Sequence, residues 1–384
     1  RITNPSAVTF VGDELSRCQR IARGPDLPGG THHVVYAAHH GDSWVPAPQL
    51  SVLHIHSTTG AASVIDVLDS PMVTGEGGVM VYASLYEGLR YHDGYLYVAV
   101  HGGGLLTYMV DPDLGTLTEV HHAGGFLNAW KIEVDGDAGV AYVADQDGGV
   151  RIVSLADPAG PEVVGAFLGA TAARDVHFDG DILAVAMGAG GVDVYDRSDP
   201  WAPLWKSHIT LPGTAGAVHV QDGMLGIATW GHLALYDLSD PASPVRVGTE
   251  RPKASPQVNQ VYGVVLDLPH VYLAEWEGLW VYEHHADRVA PHLWVTTELV
   301  DFGLTGGLAQ PCPDDPTQTN CNTKAVLVHN LGLVPLAISA FTTSPGTTFT
   351  AWPDDGLLVP PGGSGVAEVT FHSPDSVNTQ ANGK

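Results

Sequence analysis

An all-β chain of repeated four-stranded units is the fold class this sequence predicts, and three observations predict it. The first is a refrain, ADPAGP from Ala156 to Pro161, SDPWAP from Ser198 to Pro203 and SDPASP from Ser239 to Pro244, whose aspartates Asp157, Asp199 and Asp240 lie 42 and 41 residues apart. The second is a series of Asp-Gly pairs, Asp93-Gly94, Asp135-Gly136, Asp179-Gly180 and Asp222-Gly223. The third is two short apolar runs after each pair. Repeats of ~40–45 residues made of short strands have the period of a β-propeller blade.

Each unit reads in the same order. Inner strands are expected at Leu89–His92, Trp130–Val134, Asp175–Phe178 and Ala217–Val220. Asp-Gly then closes a hairpin, because the primed turns need positive φ. Second strands follow at Tyr95–Val100, Val140–Asp145, Ile182–Met187, Met224–Thr229 and Val271–Trp276, and third strands at Leu105–Val110, Val150–Leu155, Val192–Arg197, Leu233–Leu238 and Leu279–His284. In the Asp-Pro turn the aspartate side chain holds the backbone and proline presets φ. A more polar fourth strand follows, as at Glu162–Phe167. A looser first copy is read from Cys18–Arg23, His33–His39 and Leu50–His56, which makes six copies. The sixth has no fourth strand of its own, and Ser6–Gly12 is predicted to supply it, closing the ring without an open edge. Residues 1–288 are thus expected to form a six-bladed β-propeller closed by an N-terminal strand, and 289–384 a second domain.

The succession of strand, Asp-Gly, strand, strand and Asp-x-Ser-Asp-Pro resembles the LVIVD-repeat propellers of bacteria, from about Arg20 to Asp287, most closely over Leu233–Gly248. That resemblance implies a surface or secreted propeller and transfers no catalytic motif. From about Val289 the texture changes. Pro291–Gly303, Ala325–Ser339 and Val359–Phe371, with turns at Asn330–Gly332 and Pro360–Ser364, are similar to immunoglobulin-like domains of the spindle/hydin type. Those domains normally continue for one or two more strands, so a β-sandwich short of an edge strand is expected, with self-assembly through it as one consequence.

Composition narrows the function. With 16 Lys+Arg against 42 Asp+Glu the formal charge is −26, which argues against nucleic acid or an anionic membrane as partner. No apolar run reaches the ~18 residues a bilayer span needs, so membrane insertion is not expected. The opening RITNPSAV lacks the layout of a signal peptide, and the chain reads as a mature or trimmed form. Cys312 and Cys321 flank a polar loop and are expected to form a disulfide, placing the protein in an oxidising, extracellular or cell-surface compartment. Cys18 is expected to be a buried thiol.

Binding chemistry is expected on the face that carries the loops between second and third strands and between units. Those loops read as the longer and more irregular ones, and function on a rigid scaffold collects in such loops. The first copy holds two insertions there, His39–Gln49 and Pro71–Gly88. The face collects His39, His40, Trp44, His101, His121, His122, Trp230, His232, Glu275, Trp276 and Glu277. Tryptophan offers amphipathic area suited to a glycan, peptide or protein, and histidine with carboxylates can hold a transition metal. Trp230 and Trp276 can equally fill gaps between units. Arg90, His177 and His219 occupy equivalent inner-strand positions and are expected to line a central channel, as an anion site or as a solvated repeat position. The turns Asp135–Gly139 and Asp145–Gly149 resemble fragments of calcium loops, but each supplies two carboxylates where calcium takes ~6–8 oxygens.

No motif requires a cofactor; calcium and a transition metal are the two candidates. The sequence holds no G-x-S-x-G and no H-E-x-x-H, and the glycine clusters Gly75–Gly78 and His101–Gly104 lack the helix start of a phosphate cradle. The leading expectation is a secreted or cell-surface binding protein without catalytic activity. Two rivals stay open. One is a metal-dependent, lactonase-like hydrolase with an ion near Glu275, His101 and His39; the other is a structural subunit of a surface layer or filament.

Overall fold

The computed structural model describes residues 18–39, 48–70, 72–74, 80–82, 86–167, 172–211, 213–250, 261–275, 278–284, 293–295, 300–304, 321–330, 334–339, 349–353, 356–360, 363–372 and 380–383. Its secondary structure there is all β, in small antiparallel sheets.

The first sheet pairs Cys18–Asp26, His32–His39, Gln49–His56 and Ala62–Asp69 in order. The second is Leu89–His92, Tyr95–Ala99, Leu105–Val110 and Leu117–Ala123; the third is Lys131–Asp135, Val140–Ala144, Val150–Ser154 and Glu162–Phe167. The fourth is Asp175–Asp179, Ile182–Ala186, Val192–Asp196 and Leu204–Ile209; the fifth is Ala215–Gln221, Met224–Thr229, Leu233–Asp237 and Val245–Glu250. A sixth has three strands among the described residues, Val261–Asp267, His270–Glu275 and Gly278–Glu283. The first strands of successive sheets adjoin one another in chain order. This arrangement is consistent with a β-propeller. Ser6–Gly12, expected to complete the sixth sheet, lies outside the described residues.

The second strands explain their own composition. Leu96 and Val98 pack into the core between the first and second sheets, while Tyr97 and Ala99 pack into the core between the second and third. Ala141 and Val143 share that second core, and Tyr142 and Ala144 turn to the fourth sheet. A strand buried on both faces reads as a continuous apolar run, whereas a strand with one wet face alternates. The fourth strand Glu162–Phe167 does alternate between exposed and half-buried positions.

The refrain acts as a latch. The Asp157, Asp199 and Asp240 carboxylates accept the backbone N–H groups of Ala159, Trp201 and Ala242 at 3.1, 3.0 and 3.0 Å. The carbonyl of the following proline then faces the preceding sheet. Tyr97 donates its hydroxyl to Pro158 O at 3.0 Å and Tyr142 donates to Pro200 O at 2.6 Å. The Asp-Gly reading holds at Asp93-Gly94 and Asp222-Gly223, where all four residues have positive φ. It shifts in two places. The third sheet turns through 136–139, and in the fourth Asp179 stays in the strand while Gly180-Asp181 makes the turn.

The chain divides into two compact units. One comprises 1–233, 237–244 and 251–283; the other comprises 234–236, 245–250 and 284–384. C-terminal strands of the second unit form a four-stranded sheet in the order Leu293–Val295, Cys321–Asn330, Ser364–His372, Phe349–Trp352. Two-stranded pairs join Leu336–Ile338 to Leu357–Val359 and Val300–Leu304 to Gln380–Gly383. Cys312 and the side chains of Cys18 and Cys321 fall outside the described residues, and the expected disulfide and buried thiol with them. Among the described residues, no helix is long and apolar enough to cross a membrane.

Candidate functional site

Opposite the refrain, the sheets present a second repeated frame. The chain crosses from second to third strand through Val100–Gly104, Asp145–Gly149 and Met187–Gly191, and each turn is closed by a bond from its first N–H to its last carbonyl, at 2.9, 2.8 and 2.9 Å. The second residue of each turn, His101, Gln146 or Gly188, has positive φ of 50, 39 or 58°. Its backbone bridges Ala129, Ala173 or Ala215 at the start of the next sheet. In the fifth sheet the turn is one residue shorter, closed by Thr229 N to His232 O, with Trp230 as its second residue. These loops were expected to be long and irregular; in the second to fifth sheets they are short and nearly uniform, because each must reach the neighbouring sheet's backbone.

On this uniform frame sit unlike side chains. Glu87 N, Trp130 N and Arg174 N donate to Ala99 O, Ala144 O and Ala186 O, so glutamate, tryptophan and arginine occupy one register position in three successive sheets. The corresponding turn position carries His101, Gln146, Gly188 and Trp230. Together they make a rim. The His101 Nε2 lies 2.9 Å from Oε1 of Glu87, whose carboxylate is only 3% exposed. The His101 ring meets Trp130 edge-on at 5.3 Å. Arg174 lies between two indoles, its guanidinium carbon 5.7 Å from the Trp130 centroid and 6.0 Å from that of Trp230. Both distances are within reach of a cation–π attraction. A Cβ on Gly188 would come 3.0 Å from Arg174 Nε, and one on Gly216 would come 3.8 Å from the Trp230 ring. Gly188 thus gives Arg174 its room, whereas the distance at Gly216 is an ordinary van der Waals contact. Trp230 remains 48% exposed.

A brace stands behind the rim. The buried Asp145 carboxylate accepts Leu127 N, Asn128 N and Arg151 Nε at 3.0, 2.7 and 2.8 Å. Asn128 accepts from Trp130 Nε1 at 3.2 Å and donates to Gln146 Oε1 at 2.8 Å. The indole N–H of Trp130 and the side-chain oxygen of Gln146 are thereby satisfied internally.

Below the rim, the inner strands gather charge. Arg90 pairs with Glu133, and Lys131 Nζ lies 3.4 Å from Asp175. Asp175 is the largest single influence on Lys131 and favours its charged form, yet burial together with Arg20 and Arg90 outweighs it and lowers the Lys131 pKa. Burial, more than the nearby His219, Lys131 and Arg90, depresses the pKa of His177 far below the ordinary histidine value. His219 is pushed down to about 4, first by burial and then by Lys131. The two imidazoles stack at 4.0 Å. Each Nδ1 accepts a backbone N–H from the next inner strand, Val220 N to His177 at 3.1 Å and Leu266 N to His219 at 3.4 Å. A donor on that side leaves the ring proton at Nε2 and keeps both rings neutral. Asp175 and Asp179 accept Val218 N and Asp222 N in the same way, at 3.0 and 2.6 Å. The Arg90 charge acts on both His177 and His219, which places the three in one region. The histidines are staples between sheets, which neither the anion-site nor the solvated reading anticipated.

The remaining face residues divide. His232 is buried and bonds its Nδ1 to the Thr229 hydroxyl at 2.7 Å, a turn-closing role. His39 ends its strand, buried. His121 lies half-buried near the end of an outer strand, and the neighbouring exposed His122 bonds Gly103 O. His40, Trp44, Trp276, Glu277 and the side chain of Glu275 lie outside the described residues. Among the described residues, no group of three or more His, Cys, Asp or Glu is placed to hold a metal. Asp135 bonds Ala138 N at 2.9 Å and pairs with Arg197, so both Asp-rich turns spend carboxylates on local structure. Sequence reasoning missed Glu87, Trp130, Arg174, Gln146, Lys131, Glu133 and Asp175 as site residues. Trp130 and Arg174 stand directly ahead of an inner strand and Glu87 two residues ahead of one, so comparing these positions across the repeats would have found the first three.

Sheet order and latch are those of a repeat protein and are consistent with a β-propeller. Two segments, residues 128–168 and 212–249, match the LVIVD repeat. They cover the third and fifth sheets, a narrower span than the resemblance from Arg20 to Asp287 suggested. No curated protein matches the chain. Among solved structures, the chain is similar to a protein from Bacteroides uniformis named as a 6-phosphogluconolactonase, with 14% identity, a TM-score of 0.53, and coverage of 69% of this chain and 80% of that one. At this identity the likeness concerns the fold. The computationally designed Ika8 protein aligns over 94% of this chain and 98% of its own, with 11% identity and a TM-score of 0.44.

Proposed function

We propose that the protein is a secreted or cell-surface binding protein without catalytic activity, whose ligand face is the rim centred on Trp130, Arg174 and Trp230. One observation carries this reading: equivalent positions on a uniform frame hold chemically unlike side chains. A repeat under structural demand alone reuses a residue, as Ala129, Ala173 and Ala215 do at the bridges. A binding surface diversifies positions that the frame leaves free. In this reading the six sheets close into a six-bladed ring through Ser6–Gly12, the C-terminal strands form an immunoglobulin-like sandwich capable of self-association, and Cys312–Cys321 is a disulfide. Calcium or a transition metal, if used, has no set of three or more ligands among the described residues. Glycan and peptide arrays probed with the wild type and with a Trp230→Ala/Arg174→Ala protein test the proposal. A defined ligand retained by the wild type and lost by the variant supports it; ligands retained equally by both would move the face elsewhere.

A second reading is a hydrolase of the lactonase kind, and the buried Glu87 carboxylate on His101 is the observation that favours it. A carboxylate that orients an imidazole is one half of a general-base arrangement. Lactone hydrolysis by the purified protein, abolished by His101→Asn with and without added divalent metal, would establish this reading in place of the first.

A further inference from the structure

We infer that the rim takes an acidic sugar, a single carboxylate carried on a hydroxylated ring, with the carboxylate on Arg174 and the ring face on Trp230. This inference deepens the binding reading above and rests on it. Three observations point the same way. First, among the described residues the Arg174 guanidinium has no hydrogen-bond or ion-pair partner, and its buried Nε lacks an acceptor. Other arginines of the same unit are engaged: Arg90 with Glu133, Arg151 with Asp145, and Arg197 with Asp135. A guanidinium has five donors in a planar fork, and its best complement is a carboxylate held by two parallel bonds. Second, the cation lies within cation–π reach of two aromatic rings, at 5.7 Å from Trp130 and 6.0 Å from Trp230, which narrows the positions of its fork before any ligand arrives. Third, Trp230 leaves 48% of its surface open beside that fork. An indole face next to a hydrogen-bonding cation suits a ring with one apolar face and polar edges.

The charge of the whole molecule limits the number of carboxylates. Arg174 is one cation in a chain of formal charge −26. At physiological salt a pair in direct contact escapes most screening, whereas further charges along a polyanion meet the protein's own field within ~8 Å. One carboxylate fits; a dense polyanion does not.

The test is titration of the full chain with glucuronate, glucose and benzoate, read by intrinsic tryptophan emission and calorimetry. Glucuronate should saturate, with glucose at least about tenfold weaker because it lacks the charged partner. Arg174→Gln should erase that discrimination. Arg174→Lys, which keeps the charge but not the fork, should retain only part of it. Trp230→Ala should weaken both sugars together. Unchanged melting curves for the variants exclude loss of fold as the cause. Three results overturn the inference: no saturation by glucuronate, equal binding of glucose and glucuronate, or discrimination that survives Arg174→Gln. Tighter binding of benzoate than of glucuronate overturns the sugar assignment as well. Equal sugars that both lose affinity on Trp230→Ala would leave the binding face standing while removing its acidic ligand. Sugar binding that ignores both Trp230 and Arg174 would remove the face itself.

Discussion

The two ends of the same sheets obey different rules. At the refrain end, equivalent positions do the same job in the third, fourth and fifth sheets: an aspartate closes its own turn, and the next proline carbonyl takes a hydroxyl from the sheet before it, Tyr97, Tyr142 and Ser207 in turn. At the rim end, the backbone bridges repeat just as faithfully, but the side chains they present are Glu87, Trp130 and Arg174 at one position and His101, Gln146, Gly188 and Trp230 at another. Repetition of backbone with repetition of side chain marks the part that holds sheets together. Repetition of backbone without it marks the part that is free to recognise something.

The contrast is broken most forcefully at the latch. Tyr142 is fully buried, donates to Pro200 O, and packs its ring against Phe167 and Phe178. Tyr142→Ala should cost about 3–5 kcal/mol in urea or thermal unfolding, from the cavity and the orphaned carbonyl. Tyr142→Phe removes only the hydroxyl and should cost about 1–2 kcal/mol. A Tyr142→Ala protein as stable as the wild type would show that the refrain is not a latch.

Acid sharpens the comparison next. His177 and His219 have folded pKa values below the ordinary histidine value of 6.5, the latter at about 4. Between the folded and unfolded values the unfolded chain binds more protons, so stability rises with pH. It is complete above about pH 6.5 and is lost as pH falls toward the folded values. The slope approaches about 1.4 kcal/mol per pH unit for each histidine. Lys131, Arg90, Asp175 and Asp179 face the same two imidazoles, so the slope is assigned to the histidines by comparison with a variant that lacks them. Gln accepts the same backbone N–H, and a His177→Gln/His219→Gln protein should lose that slope. Identical slopes for variant and wild type in this window would refute the staple assignment.

How much of this was legible beforehand follows from the same contrast. The refrain, the Asp-Gly turns and the doubly buried second strands are local signals, since turn chemistry and burial on two faces each leave a pattern within a few residues. They located most strands of the second to fifth sheets within a residue or two. Tyr142 and Pro200 are 58 residues apart, and nothing local announces their bond. Rim residues are harder still. Trp130 reads as the first residue of a strand and Arg174 stands outside any repeat signal, because neither lies in a motif. Their meeting depends on stacking the third, fourth and fifth sheets side by side. Trp230 and His101 were found because they sit in turns. His232 was grouped with them, though its imidazole turns inward to Thr229.

Gly188 tests whether the rim is shaped by its frame. Its φ of 58° is left-handed, and a methyl group there would press on Arg174 Nε at 3.0 Å. Gly188→Ala should cost about 1–2 kcal/mol of stability through the backbone alone. It should also displace the guanidinium from between the indoles, visible as a change in tryptophan emission. An alanine protein with native emission would mean that Arg174 has other room and that the clamp is loosely held.

The smallest expected effect on stability is the most telling one. Trp230 is half-exposed, and among the described residues Arg174 approaches its ring at 6.0 Å, the edge of cation–π range. Trp230→Ala should therefore shift unfolding by no more than about 1 kcal/mol, most of it the lost attraction to the guanidinium. A tryptophan retained at such a small structural return, in a turn where the equivalent positions hold histidine, glutamine and glycine, needs another reason to be there. If Trp230→Ala instead unfolds the fifth sheet, the residue belongs to the frame, and the distinction between the two ends of the sheets fails at the position where it was drawn most sharply.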